Sequence, residues 1–340
     1  MRKLFPTVIL SVLLSNLLVT EAAANSAPAT RSLAEKAGWE FTLGMNMGYS
    51  AGRSQLNTDD DNALNEDLNN QGKSLDKTLV FPLASAQYTF DELQTQIFAG
   101  NSREQISVAE FQYELGIKHV FNNRSQLTVA YFPQLPFFNE AWQDPYLIGS
   151  ARTTTEQNTQ GGRVALTRIA GSSITLKYAF AITSIENEQS GQSIGLNAAQ
   201  LSLLQRDSFY QRIEIETMFP IAPGVFFKPA LQYTRRSADG EAHNFDQYGA
   251  QLGLLVFKGR HSLITTFNTG IKKFAVDNPV FSEKQNTVTA AVFSVYSYAQ
   301  ALNWQPLSFN ILAGYKKENS DINFYDSKGL FMSTGLSYKF

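Results

Sequence analysis

The chain of 340 residues contains no cysteine. Disulfides, thiolate metal sites and cysteine nucleophiles are excluded together, and an envelope protein that folds without oxidation is accommodated. Charge is sparse: Asp, Glu, Lys and Arg make up 17% of the residues, against about a quarter in an average soluble domain. The formal net charge of −2 leaves no surplus to attract a polyanion, so nucleic acid is not an expected partner. Long apolar runs are missing too. Past the N-terminus nothing approaches the roughly 20 residues that a membrane helix needs. A mature chain with this sequence is soluble, or it crosses a membrane by another route.

The N-terminus reads as an export signal. Met1, Arg2 and Lys3 form a basic start, "LFPTVILSVLLSNLLV" an apolar core, and "EAAANS" a small-residue cleavage site with Ala22 and Ala24 in the required places. The expected division is residues 1–24 as signal peptide, 25–37 as a short periplasmic segment and 38–340 as one barrel domain. "NSAPATRSLAEK" is too short to fold into the plug of a large outer-membrane transporter.

The mature chain alternates in steps of two, the period of a strand. "GWEFTLGMNMGYS" puts Trp39, Phe41, Leu43, Met45, Met47 and Tyr49 on one face and Glu40, Thr42, Gly44, Asn46 and Gly48 on the other. "DQYGAQLGLLVF" and "PLSFNILAGYK" do the same. Such segments are about ten residues long, which suits a tilted membrane-crossing strand. Strands are expected near 38–51, 78–90, 92–101, 108–121, 125–135, 161–170, 173–184, 208–219, 225–236, 245–257, 262–274, 287–299, 306–316 and 329–340. Those near 78–90, 92–101 and 287–299 alternate poorly, so twelve strands is the alternative to fourteen.

Connections alternate as well. "FDE", "NNR", "AGSS", "PIAPG", "KGR" and "NWQP" are short, while those near 52–77, 136–160 and 185–207 are long and polar. Short turns on one rim and long loops on the other describe an all-β, transmembrane antiparallel barrel of the bacterial outer membrane. Trp39, Phe121, Phe219, Phe257 and Phe340 fall near strand ends, where interfacial girdles lie. Hydrocarbon cannot satisfy backbone N–H and C=O groups, so the sheet must close with no free edge. The chain ends in "STGLSYKF". Ser333, Gly335, Tyr338 and Phe340 resemble the C-terminal signal through which the barrel-assembly machinery recognises its clients.

"KPALQYTRRSADGEAHNFDQYGAQL", "NEAWQDPYLIG", "VDNPVF" and "LAGYKKENSDINFYDSKGLFMSTGLSYKF" resemble an uncharacterised family of outer-membrane proteins from marine gamma-proteobacteria, a family of unknown function. The resemblance covers nearly all of the mature chain. It implies the barrel and its location and brings no substrate or catalytic residues.

Chemistry must therefore come from the residues. His119 and His261 fall near the expected periplasmic turns, and His243 lies on the outer side beside Asp239, Glu241 and Asp246. A loop histidine among carboxylates is ordinarily solvated, and neither G-x-S-x-G nor H-E-x-x-H occurs. Asp59, Asp60 and Asp61 suit a divalent cation but lack the glycine and distal glutamate of an EF-hand, so a solvated acidic loop is expected. No metal, cofactor or catalytic residue is assigned. In "SIGLNAAQLSLLQ" Ile194, Ala198, Leu201 and Gln205 take helical spacing; the loop near 185–207 either narrows the mouth or caps the rim. Phe137, Phe138, Trp142 and Tyr146 make another loop unusually apolar. It is expected to pack on its neighbour or to serve as an entry site for a greasy ligand.

The function expected is a porin-like channel for passive diffusion of small polar solutes. The alternatives are a non-conducting surface receptor or structural barrel and, third, a lipid-acting hydrolase that would depend on His243. Strand parity puts Lys177, Arg212, Glu214, Glu216 and Lys228 inside, where Lys177, Glu216 and Lys228 can meet as a ladder and Glu216 is expected to pair with one of the two lysines. The expected partners are outer-membrane lipid, lipopolysaccharide, the assembly machinery and small solutes.

Overall fold

The computed structural model describes residues 32–101, 113–134 and 139–340. The export signal, most of the segment that follows it, Phe137 and Phe138 lie outside these. The described strands are β1 (Gly38–Arg53), β2 (Ser74–Thr89), β3 (Thr95–Asn101), β4 (Tyr113–Val120), β5 (Gln126–Phe132), β6 (Glu140–Trp142), β7 (Thr154–Thr167), β8 (Ile174–Ile185), β9 (Ser208–Thr217), β10 (Phe219–Ala222), β11 (Val225–Ala238), β12 (Phe245–Lys258), β13 (His261–Phe274), β14 (Thr287–Ala299), β15 (Leu307–Ser320) and β16 (Ser327–Lys339). Each barrel strand pairs antiparallel with its chain neighbours, and β16 pairs with β1 from Lys339↔Thr42 to Lys328↔Arg53. The sheet is thereby a closed ring of 14 strands. Of the remaining two, β6 is a ribbon on the upper end of β7, and β10 continues β9 past Met218 along β11. Among the described residues no helix is long and apolar enough to cross a membrane, which says nothing of a β-barrel.

Alternation sorts the faces. On β1 Trp39, Phe41, Leu43, Met45, Met47 and Tyr49 project outward, and Asn46, Gly48 and Ser50 are buried within. In water that outward face would be an enormous apolar patch; in lipid it is the expected surface. Connections at the end that holds both barrel termini are short, with only Gly259 and Arg260 between β12 and β13. Three strands reach four or more residues further than expected at the opposite end: β2 begins at Ser74, β7 begins at Thr154 and β15 ends at Ser320, because their polar ends stay paired above the apolar band.

Poor alternation in β2 and β14 has a physical cause. Leu79, Phe81, Leu83, Phe293, Val295, Leu312 and Phe331 form an apolar cluster on the inside of the barrel. Those strands are apolar on both faces, and an inner wall that is polar throughout is not what folds. Phe81 and Phe331 have ring centroids 6.0 Å apart, across the small residues of β1. A Cβ on Gly48 would stand 3.3 Å from the Phe331 ring and 3.1 Å from Ser333 Cβ, so glycine there makes room for the pair.

The rim that holds both barrel termini carries the aromatic girdle at the seam. Trp39 stacks on Phe41 with centroids 5.4 Å apart, and Tyr338 meets Trp304 at 5.0 Å and Phe340 at 4.7 Å. Phe257 does not belong to it. By alternation it shares the inward face with Phe226, their rings 6.1 Å apart, because Val256 takes the lipid side.

Candidate pore and its extracellular cap

The inner wall is charged where β8, β9 and β11 run side by side. Lys177 Nζ lies 2.8 Å from Glu214 Oε1 and 3.0 Å from Glu216 Oε2, and Lys228 Nζ lies 3.0 Å from the same Glu216 oxygen. Gln232 donates to Glu214 Oε2 at 2.7 Å, and Arg212, next in the row, donates to Thr234 Oγ1 at 3.0 Å. The ladder follows from register: β8 pairs Lys177 with Glu214, and β11 pairs Ala230 with Glu216. The carboxylates sit at the wall, with side chains 6% and 9% exposed, while Lys177 and Lys228 keep 20% and 30%. The ammonium groups are the side of the ladder that meets the lumen.

Two further inner clusters escaped the sequence reading. Arg163 grips Glu114 with two hydrogen bonds of 2.8 and 2.9 Å. Nearer the outer end Glu318 takes Lys272 at 2.9 Å and Lys316 at 3.2 Å, a second Lys–Glu–Lys triad. Parity marks each residue as inward, and Lys316 and Glu318 are neighbours on one face of β15, but Arg163 with Glu114 and Lys272 with Glu318 are far apart in sequence and meet only through the sheet.

The mouth at the long-loop end is covered. Tyr146, Leu204, Ala242, Ile322, Phe324 and Tyr325 form a buried apolar core, and Leu68, Ile194, Leu196, Val280 and Phe281 pack against it. These residues come from six different loops. The β5–β7 and β15–β16 loops are rooted half the ring apart, on a wall roughly 28 Å across for fourteen tilted strands about 5 Å apart. Yet Tyr146 and Phe324 have centroids 5.5 Å apart and the Tyr146 and Tyr325 hydroxyls lie 2.6 Å apart. Loops from opposite walls that touch must meet over the lumen. Asn278 Nδ2 donates to both hydroxyls, at 3.3 and 2.8 Å, closing a buried polar triad. Burial raises the pKa of both tyrosines, so they stay protonated and able to donate.

Arginines tie the cap to the rim. Arg152 stacks over Trp142 at 4.5 Å and donates to the carbonyls of Gln55 at 3.0 Å and Pro145 at 3.2 Å; its burial pulls its pKa down to about 10. Arg206 binds Glu188 at 2.6 Å and the Trp142 carbonyl at 2.7 Å. The segment near 185–207 is part of this cap. Its helix, Ala198–Ser202, is closed by a capping box in which Asn197 and Gln200 bond each other's backbone N–H. Trp142 and Tyr146, expected to pack on a neighbouring loop, do so.

Two sequence expectations are corrected here. Asp59 is not solvated: it caps a short turn at Asp60–Asn62 and pairs with Lys77, although Asp60 and Asp61 remain exposed. His243 is not solvated among carboxylates either. It is buried in the cap, and its charged neighbours are Arg236 and Arg206. Burial first, then those arginines, hold its pKa well below the usual value, against a hydrogen bond to the Leu204 backbone. Its Nε2 has no hydrogen-bond partner among the described residues.

The C-terminal motif lies along the closing seam. Ser333 and Gly335 face inward and pair with Gly48 and Asn46, while Tyr338 and Phe340 face out. The Phe340 backbone N–H donates to the Phe41 carbonyl at 2.9 Å. A Cβ at Gly335 would collide with Asn46 Oδ1 and the Met45 carbonyl, so the seam itself demands glycine there.

A closed barrel spanning residues 38–339 is also the extent of a match to the model of a protein family of unknown function, DUF2860. The chain belongs to the DUF2860 family. Among curated proteins none matches this DUF2860 member. Among solved structures it is similar to an anion-selective porin from Comamonas acidovorans, with 9% identity over 89% of this chain and 98% of that one and a TM-score of 0.42. It is similar also to in-vitro folded OmpT, an outer membrane protein of Vibrio cholerae (7% identity, 92% and 100% covered, TM-score 0.40). A third is OccK5 (OpdH) of Pseudomonas aeruginosa (10% identity, 89% and 98% covered, TM-score 0.35).

Proposed function

We propose that this DUF2860 protein is a porin-like channel of the Gram-negative outer membrane, delivered by a cleaved signal peptide, through which small polar solutes diffuse. The inner-wall ladder carries the reading. A barrel that only braces the membrane tolerates paired charges but has no use for lysines held toward water, whereas hydrated traffic does. The arrangement also favours anions. Cations outnumber acids in the three inner clusters, Arg212 adds to them, and the carboxylates stand behind the ammonium groups. In this conformation the cap covers the mouth, so the channel is gated from outside.

The second reading, a non-conducting surface barrel, draws support from the apolar core of the cap and from the inner cluster around Phe81 and Phe331. The hydrolase reading loses its base, since His243 is buried and faces arginines rather than a nucleophile or a carboxylate. Planar-bilayer recording separates the first two. The purified barrel should show discrete conductance steps with anion preference and long closures. A steady absence of steps, in the intact protein and after trimming of the cap, would leave the non-conducting barrel.

A further inference from the structure

The outward face of the barrel has a basic belt just below its extracellular rim. Lys317 on β15 and Lys328 on β16 are direct cross-strand partners, and Lys328 in turn pairs with Arg53 on β1. Both lysines are exposed, and neither is in an ion pair among the described residues. A second row stands a few strands away, where Asp246 on β12 lies between Arg235 on β11 and Lys273 on β13. There the carboxylate, which also accepts from Tyr233 at 2.5 Å, offsets part of the charge. Among the described residues no carboxylate pairs with Lys317 or Lys328; Asp326, two residues from Lys328, accepts instead from the Ser320 backbone N–H and from Gln71. Like charges directly opposite each other on one face of a sheet repel, and the pair is stable at low cost only with an anion between or above the two ammonium groups.

The surroundings specify that anion. Directly below the lysines on the same face are Tyr315, Leu330 and Met332, all exposed. A ligand that matches both layers carries phosphate at its head and acyl chains beneath it. The belt is one-sided: at this height β2 presents Asp76 and β7 presents Asn158 and Gln160.

We propose that Lys317 and Lys328, supported by Lys273 and Arg235, form a docking site on the barrel's outer wall for the phosphates of lipopolysaccharide, with the apolar residues below taking its acyl chains. The proposal rests on the outer-membrane reading above. It names which wall holds the lipid, and it concerns none of the lumen residues.

The test uses the mature full-length barrel in a neutral detergent, titrated with bis-phosphorylated lipid A and with the same lipid dephosphorylated, bound lipid being counted by native mass spectrometry. Saturable, salt-sensitive binding that requires the phosphates is expected. Lys317→Ser with Lys328→Ser should weaken it about 30-fold, from roughly five-fold per lysine near a charged lipid surface. Lys317→Arg with Lys328→Arg should retain it. Equal binding of the two lipids, an unchanged affinity in the double serine variant, or equal binding of phosphatidylglycerol at matched charge would each overturn the site. Reconstitution into phosphatidylcholine vesicles keeps the two readings apart: a barrel that inserts but ignores lipid A phosphate sinks only the docking site, whereas one that will not insert removes the outer-membrane reading beneath it.

Discussion

Glu216 holds two ammonium groups on one carboxylate oxygen, with Lys177 and Lys228 each at 3.0 Å. Beside a wet lumen each such pair is worth about 1 kcal/mol or less, so the charge matters more for permeation than for stability. Glu216→Gln should shift the reversal potential toward anions while heat-induced unfolding changes little; an unaltered reversal potential would remove the ladder from the conduction path. His243 offers a pH dependence of definite sign. Its pKa is depressed in the folded cap, so the unfolded loop binds a proton that the folded one refuses. The stabilisation is whole above the ordinary histidine value of about 6.5 and is lost as pH falls from there toward the depressed value. Glu188, paired with Arg206, softens the repulsion without removing the burial. Proteolytic nicking of the loops should therefore rise on acidification below about pH 6.5, and His243→Gln should flatten that rise. A wild-type cap equally resistant on both sides of that pH would count against a neutral buried imidazole.

At the scale of elements, the cap is a small domain built of loops. Its apolar core and its Tyr146–Asn278–Tyr325 triad exist only when segments from opposite walls dock. The loop with helix Ala198–Ser202 supplies Leu204, which is fully buried, and Leu196 and Leu203 beside it. Deleting about ten residues around Leu196 should open the mouth: long closures shorten and conductance rises while the barrel keeps its heat-modifiable migration. Unchanged gating would show that this segment only decorates the rim. A finer probe is Tyr325→Phe, which leaves the Asn278 amide one acceptor short inside the cap. Removing that hydroxyl should cost the cap about 1–3 kcal/mol, read as increased loop proteolysis, with no effect on insertion.

For the whole molecule, closure of β16 on β1 is the condition for living in lipid, since an open edge would leave N–H and C=O groups unpaired in hydrocarbon. Tyr338 and Phe340 lie on the outward face of that seam. Replacing both with Ser should strand the protein in the periplasm, through a lost recognition signal and two polar groups on the lipid side. Normal yield in the outer-membrane fraction would sink that expectation.

Much of this was legible in one dimension. Period-two alternation places each side chain by parity alone, so the strands, the lipid face and the inward position of Lys177, Glu214 and Glu216 could be read from neighbours in the chain. Parity also carried the ladder, because β8, β9 and β11 are consecutive barrel strands joined by short or traceable connections. It failed where both faces were apolar: in β2 the alternation does not say which way Phe81 points, and only the ring sets it against Phe331 across Gly48. Parity had no purchase on the loops, which have no period. His243 is flanked by carboxylates in sequence but by arginines in space, and Tyr146 meets Tyr325 from the opposite wall. Local pattern decides which way a residue points; what it then meets is decided by closure, which brings together strands and loops more than a hundred residues apart.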